Sequence, residues 1–139
     1  GRIIVPYRPR LIVFLVGGND LARGRTPEAT LALFRTLVDE LHRELPEARM
    51  CVVSIQPSLA RWRLQPQVDR TNRLLADLVA GRAWLTFVDS ASSMRGPDGS
   101  PRRELLARDR LHLSPAGYTL LAQTLRPHLE RLWTMPDGR

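Results

Sequence analysis

"LIVFLVGGND", residues 11–20, sets an unbroken apolar run directly against two glycines, an amide and a carboxylate. A strand covered on one face alternates apolar with polar residues. A continuous apolar run is the pattern of a strand buried on both faces, as in a parallel sheet. Two more runs of this kind follow: "MCVVSI" at residues 50–55 and "WLTFV" at residues 84–88.

Helical spacing fills the gaps between them. The first helix begins at "TPEA": Thr26 is a good N-cap, Pro27 suits the first helical position, and Glu28 complements the positive helix end. Leu31, Phe34, Leu37, Val38, Leu41 and Leu45 form its apolar stripe, and Pro46 ends it. The second helix starts near Pro66, carries Val68, Leu75, Leu78 and Val79 inward, and stops at Gly81. The last starts with Ser114 as N-cap and Pro115 behind it. Its expected stripe is Tyr118, Leu121, Leu125, Leu129 and Leu132, with a bend at Pro127.

Strand, helix, strand, helix, strand, long loop, helix is a βαβαβ unit with right-handed crossovers, hence an α/β layered fold. The loop from Asp89 to Leu111 holds the turn-rich "GPDGSP" and a short helical piece at "RRELLA". Ligands of such sheets bind beyond the carboxyl ends of the strands. "GGND" follows the first strand, "QPS" (residues 56–58) the second, and Asp89 with "DRLHLSPAGY" the third. Three segments far apart in sequence therefore meet at one edge.

At 139 residues the chain is one domain, and an apolar fraction of 43% argues against disorder. No apolar stretch is long enough to span a bilayer, and the start carries no signal peptide. The start at Gly1 suggests a beginning inside a larger protein, so any localisation signal would lie upstream and localisation stays open. The net charge is +7, and all 21 basic residues are arginine. They are scattered and aromatics are few, which reads as a solvated surface; a nucleic-acid partner is not expected. Cys51 is the only cysteine, which excludes an internal disulfide and any two-cysteine metal or redox motif. It reads as a small core residue.

The chemistry-bearing candidates lie at the shared edge. Asp109 stands three residues before His112 on one tight loop. It can reach back to one ring nitrogen and leave the other for a nucleophile. His42 and His128 sit on helical patterns without such a partner and read as structural. The Asn19 amide could donate to an oxyanion, with Gly17 and Gly18 letting the backbone turn. Asp20 could hold that loop through its own backbone bonds. Arg61 and Trp62, after the second strand, are candidates for contact with substrate. Asn72 lies on a helix and receives no role.

"GGND" after a buried strand, together with "DxxHLxxxGY" leading into the final helix, resembles the SGNH hydrolases, also called the GDSL esterase/lipase family. The resemblance runs the length of the chain through "PRLIVFLVGGNDLARGRTPE", "LPEARMCVVSIQPSLARW", "FVDSASSM" and "DRLHLSPAGY". It implies a flavodoxin-like three-layer sandwich with a parallel sheet. It implies hydrolysis of an ester or related acyl bond of a small-molecule substrate through an acyl-serine, without metal or organic cofactor. Asn19 would be the oxyanion donor, His112 the base and Asp109 its orienting acid.

The resemblance has a gap. The family's "GDS" nucleophile block and its glycine block are absent, and "GRIIVPYRPR" is similar to the segment just after the second block. The chain is therefore expected to be an N-terminally truncated domain lacking the first two strands and first helix. Ser58 lies at the correct edge, but "QPSLA" is not "GDS"; Ser54 falls in a strand, and Ser114 in a cap. Alone, the chain is expected to have little or no esterase activity. The strand at residues 11–16 would be left as a bare edge prone to self-association. The alternative reading is a non-catalytic α/β binding or complementation module that pairs with a separate N-terminal segment.

Overall fold

A computed structural model describes residues 3–135. Its core is a parallel sheet of three strands in the order β1-β2-β3: β1 (Leu11–Phe14), β2 (Arg49–Val53) and β3 (Leu85–Val88). The register pairs Ile12 with Met50 and Met50 with Leu85. The connecting helices are α1 (Gly18–Ala22), α2 (Pro27–Glu44), α3 (Gln65–Val79) and α4 (Pro115–Thr134).

The central strand explains its own sequence. Met50 and Val52 join Phe34, Val38 and Leu41 of α2 and Leu75 and Leu78 of α3 on one face. Cys51 and Val53 join Leu121, Leu125 and Leu132 of α4 on the other. Both faces of β2 are covered, so its run is apolar throughout. The layers are helix, sheet, helix, as in the flavodoxin-like sandwich. Cys51 is buried, and burial pushes its thiol up to about 11.

Local chemistry sets the ends. Thr26 accepts a hydrogen bond from the Ala29 amide at 3.2 Å, and Ser114 accepts one from Gly117 at 3.2 Å, so both expected N-caps form. Gly81 takes a positive φ of 83° just past α3. The "RRELLA" piece is a single 3-10 turn, Arg103–Leu105. Helix α4 continues through Pro127 to Thr134.

Two expectations need correction. Tyr118 and Leu37 are exposed rather than part of the buried stripes of α4 and α2; on α4 the inward position near the start is Gly117. The apolar run of residues 11–16 outlasts its strand, which ends at Phe14. At "GGND", Gly17, at φ 103°, bends the chain as expected, and the Leu21 amide then bonds the Gly17 carbonyl at 3.1 Å to open α1.

Candidate active site

A cleft of about 550 Å³ lies at the carboxyl end of the sheet. Its wall includes Gly17, Gly18 and Asn19 from the β1 end, Ser54 to Gln56, Ser58 and Arg61 from the β2 end, and Leu111 and His112 from the loop before α4. Three of the segments expected to meet thus do so. Trp62, by contrast, starts a 3-10 turn (Trp62–Leu64), is 42% exposed and does not line the cleft.

The "DRLH" loop is built around one carboxylate. Asp109 Oδ1 accepts the Leu111 amide at 2.9 Å and the His112 amide at 3.0 Å, while Oδ2 meets His112 Nδ1 at 2.6 Å. Arg110 completes the tight turn with a left-handed φ of 59°. The His112 hydrogen bond and the two amides hold the Asp109 carboxyl at about 2. The carboxylate is therefore ionised at neutral pH and can only accept. Nδ1 of His112 is therefore the donor of this contact, and in a neutral imidazole the lone pair then lies on Nε2. Among the described residues nothing covers the pair, which is open to solvent with side-chain exposures of 70% for His112 and 50% for Asp109.

The loop is anchored to its neighbours on either side. The Ala107 amide bonds the His112 carbonyl at 2.8 Å, the Ser114 amide the Leu105 carbonyl at 2.9 Å, and the Ser114 hydroxyl the Glu104 carbonyl at 2.7 Å. This packing explains the glycine of "SPAGY". A Cβ at Gly117 would stand 2.3 Å from the Leu105 carbonyl oxygen, so only glycine lets α4 approach that closely.

Asn19 sits in the first turn of α1. Arg61 Nη1 donates to Asn19 Oδ1 at 3.0 Å and to the Gly18 carbonyl at 3.2 Å. The loop beneath it rests on Ile55, whose Cδ1 would be 2.8 Å from a Cβ on Gly17. Asp20 pairs with Arg25 at 3.4 Å, and among the described residues its carboxylate makes no hydrogen bond to its own loop backbone.

Asn72 is the residue that sequence reasoning missed. Its Oδ1 accepts the Ile55 amide at 2.7 Å and its Nδ2 donates to the Ile55 carbonyl at 2.9 Å. The side chain acts as a piece of neighbouring strand beyond the end of β2, and it fixes the residue on which Gly17 rests. A signal was present: position 72 lies four residues after Val68 and three before Leu75, on the apolar stripe of a helix. An amide there needs a partner.

The cleft serines differ. Ser54 Oγ accepts the amides of Ser90 at 3.0 Å and Ala91 at 2.9 Å, clasping the ends of β2 and β3 together. Ser58 is buried and, among the described residues, makes no hydrogen bond to His112. Gln56 Nε2, also at the cleft, is buried without a hydrogen-bond partner among the described residues. Among the described residues no group of His, Cys, Asp or Glu could hold a metal ion, and no helix is long and apolar enough to cross a membrane.

The sequence model of the GDSL-like lipase/acylhydrolase family matches residues 2–120. The chain belongs to this family. Solved structures of the same fold include a carbohydrate esterase family 3 protein from Talaromyces cellulolyticus, with 17% identity and a TM-score of 0.78 over 93% of this chain and 61% of that one. A GDSL-like lipase from Bacteroides thetaiotaomicron has 18% identity and a TM-score of 0.73, covering 94% and 66% of the respective chains. The OSK domain of Drosophila Oskar has 19% identity and a TM-score of 0.74, covering 86% and 62%. This GDSL-family chain spans about three fifths of the length of the first such structures. No curated protein matches it.

Proposed function

We propose that this chain supplies the base, the orienting acid and the amide donor of a serine ester hydrolase acting on small-molecule esters, and that the nucleophilic serine comes from a segment outside residues 1–139. The observation that carries this reading is the 2.6 Å Asp109–His112 contact at the wall of the cleft that Asn19 also lines. A serine hydroxyl at His112 Nε2 would give up its proton as its oxygen attacks the ester carbonyl. The tetrahedral oxyanion would take hydrogen bonds from Asn19 Nδ2. The imidazolium, stabilised by Asp109, would then protonate the leaving alcohol. Water activated by the same nitrogen would release the acid and restore the serine.

Placing the serine elsewhere follows from the hydroxyls within reach. Ser54 Oγ is occupied by two backbone amides, and Ser58 lacks the hydrogen bond to the base that an activated serine needs.

The test is hydrolysis of p-nitrophenyl acetate by the chain alone and by a protein that joins it to a "GDS"-bearing segment. The joined protein should turn over and lose at least about a thousandfold of its rate in His112→Ala, while the chain alone stays near background. Enzyme-like turnover by the chain alone, abolished in His112→Ala, would overturn the external serine. A folded joined protein without turnover would overturn the esterase reading.

A further inference from the structure

An asparagine side chain has a donating end and an accepting end of nearly the same shape. Asn19 can serve an oxyanion only when the donating end faces the cleft, and nothing within "GGND" selects that end. Arg61 does. A guanidinium has N–H groups and no acceptor, so it can pair only with Oδ1 of the amide. With Oδ1 held at 3.0 Å by Arg61 Nη1, the NH2 end is turned away from the guanidinium. The reversed amide would set donor against donor. The same nitrogen donates to the Gly18 carbonyl at 3.2 Å, so it holds the backbone of the donor loop along with its side chain.

The neighbouring residue completes a bridge. The Ala60 amide donates to the carbonyl of Arg110 at 3.1 Å, and Arg110 lies between Asp109 and His112. Two consecutive residues thus grip both halves of the cleft: Ala60 the acid–base loop, Arg61 the donor loop. No carboxylate among the described residues forms an ion pair with Arg61, so the guanidinium is left to these two oxygens.

We propose that Arg61 is a positioning residue: it fixes the Asn19 amide with Nδ2 toward the cleft and, through the Ala60–Arg61 bridge, sets where that donor stands relative to His112. Its catalytic meaning rests on the ester-hydrolase reading; its structural content does not. Arg61→Met keeps the length of the stem and removes every donor. In the isotope-labelled chain, R61M should move the Asn19 Nδ2 proton signals and the Gly18 carbonyl carbon signal, while the shifts of the central strand stay in place. Unmoved Asn19 signals in folded R61M would overturn the proposal. Should R61M fail to fold, the wild type decides the matter: Arg61 Hη protons must be resolved and show cross-relaxation to Gly18 and Asn19, and freely averaged Hη signals would overturn it.

In the protein joined to a serine-bearing segment, R61M should lower kcat about tenfold with KM nearly unchanged, since a misaimed donor is felt in the transition state. That loss should vanish in an Asn19→Ala background, whereas an unchanged loss there would overturn a role exerted through Asn19. If the joined protein hydrolyses no ester while R61M still displaces the Asn19 signals, the ester reading falls and the positioning role stands.

Discussion

Gly117→Ala perturbs the site from outside it. The added Cβ would lie 2.3 Å from the Leu105 carbonyl oxygen and 3.1 Å from Leu113 Cβ. Ordinary contact needs roughly 1 Å more than the first of these, and the obstacle is backbone, so α4 and the segment around Leu105 must part. Such overpacking costs about 1–3 kcal/mol. Parting also strains the Ser114 bonds to Leu105 and Glu104, each worth about 1 kcal/mol. Alanine's better helix propensity returns up to about 1 kcal/mol. The net expectation is a loss of about 2–4 kcal/mol, seen in urea unfolding as a lower midpoint at unchanged slope. The His112 ring signals should move as well, because the Ala107–His112 bond hangs from the same segment. A variant within about 0.5 kcal/mol of wild type, with His112 undisturbed, would refute the claim that this glycine is required by close approach.

Asn72→Ala leaves the Ile55 amide and carbonyl without their partner and should cost about 2–4 kcal/mol in the same assay; a loss below about 1 kcal/mol would mean that water replaces the side chain without penalty. The Asp109 carboxyl, ordinarily at 3.8, is held at about 2 by His112 and two backbone amides. Because the folded value lies below the unfolded one, its favourable contribution is full above about pH 4 and fades as pH falls toward 2. Carbon-detected titration of the Asp109 side chain should have its midpoint near 2, and a midpoint near 4 would show that the contact with His112 does not hold in solution.

The parts of this protein legible in its sequence are those set by burial and by local backbone chemistry. β2 reads as a doubly covered strand because both faces are covered, and Thr26 and Ser114 read as caps because they cap. Asp109 and His112 are three residues apart, so their contact is a property of one loop. Tyr118 falls outside its expected stripe because Gly117, packed against Leu105 and Leu113, takes the inward position at the start of α4. Asn72 and Arg61 act over 17 and 42 residues of sequence, on partners chosen by the packing of α3 and of the loop after β2. Their residue types told of a polar demand, but the group meeting it is fixed only by the tertiary arrangement.

The exposure of the acid–base pair and the edge position of β1 among the described residues have a common geometry. Among the described residues β1 is an edge strand, and Leu15 and Val16, just past its end, are exposed apolar residues at the same cleft wall as His112. A segment pairing along β1 would cover those side chains and shield the cleft from water. Shielding would strengthen the attraction between Asp109 and the imidazolium that forms in the proposed reaction, since those charges would act through a medium of lower dielectric. The same edge would offer a second copy of the chain a place to pair, so an added segment and a second copy would compete for one surface. Addition of the serine-bearing segment should therefore reduce self-association while it confers activity, a coupling that would not follow if the two used different faces.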